Sequence, residues 1–596
     1  MSAPPGAPKA SPVSARDLIF YYLRRHRLRF AAGFLLLAGT NVLALSVPRL
    51  LKHAVDALQA ADASSLLVFT SAIVAVALVQ GGTRTLSRLA ILGASRQVAY
   101  ELRGRLFSHM QRLPMASYSR RPVGDMTSRA INDMLLVRSF FGPGLMNLVN
   151  TSLVYLTALT MMFTMDTRLT LYALAPYPIF MLAVNRLSRR IYGRTIAVQE
   201  QLAALTSKAQ ENISGINLIK TYAREPHEAR AWTAMSRDYL EKALSLARAR
   251  GAMTPLMGIM ASAGTLVVVG LGGRAVIAGR LSLGDFVAFN AYLAFLVWPT
   301  FAFGWILNTF QRGAAAMGRI AEILAEPAEE RSSPELDAEP SVAALPPAVS
   351  VRGLTFAHEG APPGTVHLKD VSLDVPAGGA VGILGIVGSG KTTLINMLPR
   401  MLTPPAGRVF IGGRDVTTIP LGTLRREIAM VPQESFLFSR SIRQNIALTP
   451  RQVTEAEIDD AVLASGLARD LPRFPEGLDT IVGERGFTVS GGQRQRVAIA
   501  RALVARPSIL IMDDALSSLD AQVERDVVEA LRQEKGRATI VIVSHRVAAL
   551  SWTDQILVMD SGAVVERGAH EELIRSGGLY ALIARRQSLA STLEQL

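Results

Sequence analysis

The residues best suited to chemistry are Gly385-Ile-Val-Gly388-Ser389-Gly390-Lys391-Thr392-Thr393, which fit the spacing G-x-x-x-x-G-K-[ST]. They follow the apolar run Ala380–Leu384 and open a helical pattern over Thr392–Leu398. Each residue type has a reason. Glycines let backbone N–H groups close around phosphate oxygens, and a helix N-terminus adds positive potential. A lysine reaches the outer phosphates, and a threonine hydroxyl can ligate Mg²⁺.

About 120 residues later, Ile509-Leu-Ile-Met-Asp513-Asp514 is four apolar residues ending in paired carboxylates. That suits a buried strand delivering an acid, Asp513, to the metal that accompanies the phosphates. His545 ends another apolar run, Thr539–Ser544, in the same position relative to its strand. Ser490-Gly491-Gly492-Gln493 opens the helical pattern Arg494–Arg506. A serine there is a good helix cap, and the glycine-rich helix start is also an anion site. It lies too late in the chain to be its own subunit's phosphate loop, so another user is required.

These residues need a scaffold. Short apolar runs (Val349–Phe356, Ala380–Leu384, Ile428–Val431, Ile509–Met512, Thr539–Val543) alternate with helical segments, which predicts a mainly parallel sheet in an α/β domain. Upstream, Glu326–Pro347 is rich in Glu, Pro, Ala and Ser and reads as a solvated linker.

The first half is different in kind. Six stretches, at about 30–47, 66–83, 140–165, 169–185, 253–273 and 286–309, contain no Asp, Glu, Lys or Arg. A helix needs about 20 such residues to cross about 30 Å of hydrocarbon. The bulk composition agrees, with 49% hydrophobic and only 19% charged residues. The formal net charge of +15 is a topology signal rather than a nucleic-acid footprint, because the Arg residues flank apolar blocks. Arg24, Arg25, Arg27 and Arg29 precede the first span, and two long Arg-dense connections, 84–129 and 186–250, follow the second and fourth. Both termini are therefore expected on the cytoplasmic side. Those connections read as helical extensions (Gln97–Leu113, Ala197–Lys208) interrupted at Pro114–Pro122 and Gly215–Tyr222, segments placed to dock onto the second half. The expected division is a disordered lead-in at 1–15, a membrane domain at 16–325, a linker at 326–348, an ATP-binding domain at 349–587 and a tail at 588–596. With no cysteine, disulfide and thiol chemistry are excluded.

Taken in order, the Lys391 loop, Gln433 in Val431-Pro-Gln, Ser490–Gln493, Asp513, Ser518-Leu-Asp520 and His545 resemble the Walker A, Q-loop, signature, Walker B, D-loop and H-switch of ABC transporter ATPases. Thr480-Ile-Val-Gly-Glu-Arg-Gly486 resembles the loop by which exporters contact their membrane domain. With six spans ahead of the ATPase, and Leu281-Ser-Leu-Gly-Asp285 before the last span, the chain resembles a half-size exporter of the multidrug or lipid type. The resemblance implies ATP and Mg²⁺ as cofactors. It also implies a second half-transporter as partner, with ATP between the Walker motifs of one chain and the signature of the other. Thr392, Asp513 and Gln433 would hold the metal, and Asp514, His545, Gln433 and Asp520 would serve hydrolysis. The expected setting is the cytoplasmic (inner) membrane, with a hydrophobic or amphipathic substrate and no nucleic acid. Polar or aromatic residues of the spans, such as Tyr155, Tyr177, Asn290, Tyr292 and Trp298, are candidate cavity lining.

Two positions depart from the pattern. Asp514 stands where the family carries Glu, and His358 stands where a tyrosine usually stacks on adenine. Asp is one methylene shorter, and a misplacement of about 1 Å can cost about 100-fold in rate. Slow hydrolysis at this site and an intact signature are the pattern of the impaired subunit of heterodimeric exporters; a homodimer with two slow sites is the rival. A different class, a nucleotide-gated channel or regulatory subunit that binds ATP without pumping, is the alternative function.

Overall fold

The computed structural model describes residues 14–329, 346–358, 361–362, 364–483 and 489–594. The lead-in up to residue 13, most of the linker (330–345) and residues 484–488, which include the end of the Thr480–Gly486 loop, lie outside them. The chain divides into two units: residues up to Gln111 with Val123–Pro327, and Arg112–Pro122 with Ala328 onward.

Among the described residues of the first unit, six helical segments are long and apolar enough to cross a membrane: Arg27–Gln59, Ala63–Met110, Val123–Met165, Thr167–Ser214, Glu225–Ile277 and Leu283–Ala325. Each contains one of the six uncharged stretches. The second is 48 residues long, about 72 Å at 1.5 Å per residue. Hydrocarbon needs less than half of that, so the Arg-bearing extension continues as helix, as the composition predicts. Pro114 halts it before a short helix, Met115–Arg120, and Gly215 separates Tyr177–Ser214 from a second short helix, Ile216–Thr221. Both expected interruptions are therefore single helical turns or little more. The first of them falls within the second unit.

Close approach of the spans uses small residues. A Cβ on Gly313 would lie 2.6 Å from the Phe140 Cβ, and one on Gly284 would lie 2.3 Å from the Lys52 carbonyl oxygen. At the start of the last span, Ser282 and Asp285 form a capping box. Asp56 accepts hydrogen bonds from Gly284 N (2.9 Å) and Ser282 Oγ (3.1 Å), and Lys52 pairs with Asp285 at 2.7 Å. The Leu281–Asp285 motif is thus a joint between the first and last spans. Tyr292, a candidate for cavity lining, is instead fully buried and donates to the Leu45 carbonyl at 2.9 Å. Its hydroxyl closes a packing contact between the same two spans. Tyr155 shares a hydrogen bond with Thr300 Oγ1 at 2.5 Å, and Trp298 is exposed.

Among its described residues the second unit holds ten strands: β1 Val349–Phe356, β2 Leu368–Val375, β3 Ala380–Gly385, β4 Val409–Ile411, β5 Arg414–Asp415, β6 Ile428–Val431, β7 Ile509–Asp513, β8 Thr539–Val543, β9 Gln555–Asp560 and β10 Ala563–Gly568. The order β10-β9-β3-β8-β7-β6 forms one sheet, parallel except for the β10–β9 edge. β1 was expected in that sheet. It lies instead in a separate antiparallel sheet, β2-β1-β4-β5. The burial patterns give the reason. β3, β7 and β8 are buried at every position, as a strand covered on both faces must be, whereas β1 and β2 have exposed positions between buried ones.

Residues of both sheets share one core that includes Leu354, Leu368, Ile383, Ile511 and Val541, and a second core covers the other face of the parallel sheet. A third, from Leu437 to Val504, belongs to a helical lobe. The helix after the phosphate loop is Lys391–Ile395, shorter than the predicted Thr392–Leu398. The C-terminal helix Leu579–Glu594 runs through most of the segment expected to be a tail. The near end of the linker is anchored: Glu329 takes a bidentate ion pair from Arg425, at 2.9 and 3.1 Å, and donates its backbone N–H to the Arg112 carbonyl.

Candidate functional site

The parallel sheet gathers the chemistry at the C-terminal ends of four adjacent strands. β3 runs into the phosphate loop, β8 leads to His545, β7 ends in Asp513, and β6 leads to Gln433. Register places them on one level: Ile383 pairs with Val543, Val543 with Asp513, and Met512 with Val431. Open parallel sheets bind ligands at this edge, where the loops leave the strands.

Two glycines of the loop are required by space as well as by backbone angle. A Cβ on Gly385 would lie 2.4 Å from the Met559 carbonyl oxygen. Gly390 has φ +95°, and its Cβ would lie 2.8 Å from Leu368, so a side chain there is excluded twice. Lys391 is buried and folds onto its own loop, donating to the carbonyls of Gly385 (2.8 Å) and Ile386 (2.7 Å) and to Ser389 Oγ (3.3 Å). Burial lowers its pKa, while the nearby carboxylates of Asp514 and Asp513 act in the opposite direction. An ammonium held only by carbonyls and a hydroxyl gains most when phosphate oxygens replace them.

Asp513 is 3% exposed and accepts from Thr392 Oγ1 at 3.0 Å. Burial pushes its pKa up, against the Thr392 hydrogen bond that lowers it. A buried carboxylate whose one bonded partner is a hydroxyl, with the Lys391 charge only nearby, would gain further from a divalent cation. The donor set fits Mg²⁺ rather than an all-protein metal cage: among the described residues no three His, Asp or Glu converge on a metal position, and Mg²⁺ ordinarily keeps waters and phosphate oxygens as ligands. Gln433 lies beside this edge with its side chain exposed.

Asp514 is buried, at 7% exposure, and sits at φ +47°. Its backbone N–H bonds to the Val543 carbonyl at 2.9 Å, and its Oδ1 accepts from the His545 backbone N–H at 3.4 Å. Its carboxylate is therefore drawn sideways toward the neighbouring strand end. A left-handed backbone is more easily adopted by Asp than by Glu. His358, just beyond β1, has its Nε2 3.4 Å from Thr393 Oγ1 and packs edge-to-face on His367, with ring centroids 4.5 Å apart. Burial, then the charge of His367, lowers its pKa and favours the neutral ring. The structure thus places the His358 ring beside Thr393 of the phosphate loop.

Ser490–Gln493 stands apart from this cluster. Ser490 caps the helix Gly491–Val504 in a reciprocal box with Gln493, at 3.2 and 2.9 Å. Gln493 also donates to Asp470 at 3.3 Å, and Gly492 lies so close to the Ser518 carbonyl that a Cβ would be 3.1 Å from it. Among the described residues, no hydrogen bond joins this helix start to the Gly385–Thr393 loop. Asp520 caps the helix Ala521–Glu534, accepting from Gln522 N and Val523 N, and those bonds hold its pKa down. Its carboxylate is engaged in that cap within this chain.

Several supporting residues carried no sequence signal. Asp470 makes a buried ion pair with Arg496 at 2.6 Å beneath the Ser490 helix start. Arg546 pairs with Glu524, tying the His545 turn to the helix capped by Asp520. Arg501 donates to Asn445 O (2.8 Å) and Phe436 O (3.1 Å), fixing the segment that follows Gln433. All join positions far apart in sequence, and no local spacing encodes them.

Comparison with known proteins agrees with this geometry. Residues 30–300 match the family described as ABC transporter transmembrane region, and residues 368–517 match the family described as ABC transporter. The chain is 32% identical over 572 residues to the probable multidrug resistance ABC transporter ATP-binding/permease protein YheI of Bacillus subtilis, covering 96% of this chain and 97% of that protein. It is 31% identical over 559 residues to the ATP-dependent lipid A-core flippase of Syntrophus aciditrophicus, covering 94% and 92%. The solved structure of a bacterial Atm1-family ABC exporter with ATP bound superposes with a TM-score of 0.73 at 27% identity, over 95% of this chain and 98% of that one. A membrane domain of six spans fused to a phosphate-binding α/β domain, matched end to end by such relatives, places this chain in the ABC transporter family, as a half-size exporter with an ATP-binding domain.

Proposed function

We propose that this chain drives export or flipping of hydrophobic or amphipathic molecules, drugs or lipids, as one half of a dimer in the cytoplasmic membrane. Both termini and the ATP-binding domain lie in the cytoplasm in this reading. The multidrug and lipid-flippase names of the relatives support the substrate class, and the uncharged spans agree with it.

ATP lies between the Gly385–Thr393 loop of one chain and Ser490–Gln493 of the other. The self-contained Ser490 cap supports this, because among the described residues no hydrogen bond joins it to its own chain's phosphate loop, and a glycine-rich helix start attracts an anion. Lys391 exchanges its carbonyl partners for the outer phosphates, His358 packs against the base, and His545 contacts the γ-phosphate. Thr392 and Asp513, with Gln433, would hold Mg²⁺, which neutralises charge on the phosphates. Asp520, at the head of its helix, lines the same dimer seam.

The Asp514 position carries the finer reading. Its short carboxylate is held on the His545 N–H, away from where a Glu would polarise the attacking water. This chain therefore binds ATP and hydrolyses it slowly, and a partner bearing Glu uses the intact Ser490 signature to do most of the turnover. The test is ATP turnover by the purified chain in lipid, comparing wild type, Asp514→Glu and Lys391→Ala. Near silence, relieved by Asp514→Glu or by a second subunit, supports the heterodimer. Ordinary turnover in the wild type, abolished by Lys391→Ala, would replace it with a working homodimer.

A further inference from the structure

The C-terminal helix reaches back to the ATP site through one side chain. Gln587 Nε2 donates to the His545 carbonyl at 2.6 Å, and Gln587 Oε1 accepts from the Val547 backbone N–H at 2.9 Å. One carboxamide thus spans the turn in which β8 passes into the short helix Val547–Leu550. The same turn is held from the other side, since the His545 N–H bonds to Asp514 Oδ1 at 3.4 Å. The two faces of the His545 main chain are gripped by different elements.

The helix that carries Gln587 is a firm support. Its first turn is capped by the Glu566 carboxylate, which accepts from the backbone N–H groups of Leu579 and Tyr580. Tyr580 is fully buried and shares a hydrogen bond with His570 Nδ1 at 2.6 Å. Leu579, Ile583 and Ala584 pack on the sheet core. Positions 580, 583, 584 and 587 fall on one helix face. Packing alone would put an apolar residue at 587. An amide stands there, and two main-chain groups of the histidine turn take both ends of it.

We propose that Gln587 is a positioning residue for His545, so that the C-terminal helix sets where the imidazole stands relative to the γ-phosphate. The proposal rests on reading His545 as the γ-phosphate contact. It makes the C-terminal helix part of the nucleotide-sensing apparatus.

The test measures preference for a non-hydrolysable ATP analogue over ADP by equilibrium binding to the full chain in lipid vesicles. Variants are His545→Ala, Gln587→Leu, Gln587→Glu and the double His545→Ala/Gln587→Leu. Gln587→Glu keeps the side-chain length and the acceptor for Val547 N–H, but opposes a carboxylate to the His545 carbonyl. The preference should fall about threefold to tenfold in both Gln587 variants, the range of one hydrogen bond, with ADP affinity unchanged. Adding Gln587→Leu to His545→Ala should do nothing further, because its effect passes through the imidazole. An equal fall in the His545→Ala background, or no fall in either single variant, would overturn the proposal. If His545→Ala lowers the preference and Gln587→Leu does not, only the positioning role fails; if His545→Ala has no effect, the γ-phosphate reading fails with it.

Discussion

The phosphate loop and the Ser490 helix start are both glycine-rich turns that open a helix, yet they use their polar groups differently. In the loop, Lys391 is buried and bonded to carbonyls, and Asp513 is buried against a hydroxyl, so neither charge has an ion pair of its own, only the other's field. At Ser490 the cap is closed on itself, with Gln493 reciprocating and the Asp470–Arg496 pair supporting it from below. One region presents charged groups that phosphate and a divalent metal would complement. The other is complete as a structure and offers only backbone N–H groups to a visitor. In the proposed dimer, each ATP site would take one half of each kind.

The largest effect that would test this contrast is at Lys391. Lys391→Ala removes two charge-assisted hydrogen bonds to phosphate at about 1.5 kcal/mol each, which weakens ATP binding about 100-fold in a binding titration. Retained affinity would mean that the loop does not hold the nucleotide. Asp514→Glu should raise turnover by the chain alone about 10- to 100-fold, read by phosphate release. It should also lower thermal stability slightly, because Glu tolerates φ +47° less well than Asp. A faster wild type would break the slow-site reading.

Arg496→Ala leaves the buried Asp470 carboxylate with no cation, only the Gln493 amide, and should cost about 3 kcal/mol in denaturant unfolding of the ATP-binding domain. ATP binding at the distant loop of the same chain should change far less than stability does. The smallest effect is expected at the cap. Ser490→Ala should cost about 1 kcal/mol of local stability and leave ATP binding by the chain alone unaltered. Its loss of turnover should appear only in the assembled dimer. A fall in single-chain ATP affinity would show that Ser490 serves its own loop.

The gain from structure was uneven across the molecule. The six spans, their helical extensions and the two interruptions were all readable, because a hydrocarbon phase imposes length and composition on any helix that crosses it. The phosphate loop was readable because glycines at fixed spacing solve a local steric problem, seen in the contacts forced at Gly385 and Gly390. Assigning β1 to the parallel sheet passed over its period: Val349-Ser-Val-Arg352 alternates apolar and polar residues, as a strand covered on one face does, where β3, β7 and β8 are apolar throughout or nearly so.

What the sequence determined by itself was the set of chemical groups and the two media they work in. The lysine, the carboxylates, the histidine and the glycines are fixed by type and order, and the uncharged stretches require a lipid phase. What only tertiary structure decided was direction and partnership: that Asp514 leans on the His545 N–H, that His358 reaches Thr393, that Tyr292 closes a span joint, and that Gln587 holds the histidine turn. Each of these depends on hydrogen bonds between residues 31 to 247 positions apart. Such bonds have no local spacing to betray them, since they exist only once the strands and helices have packed.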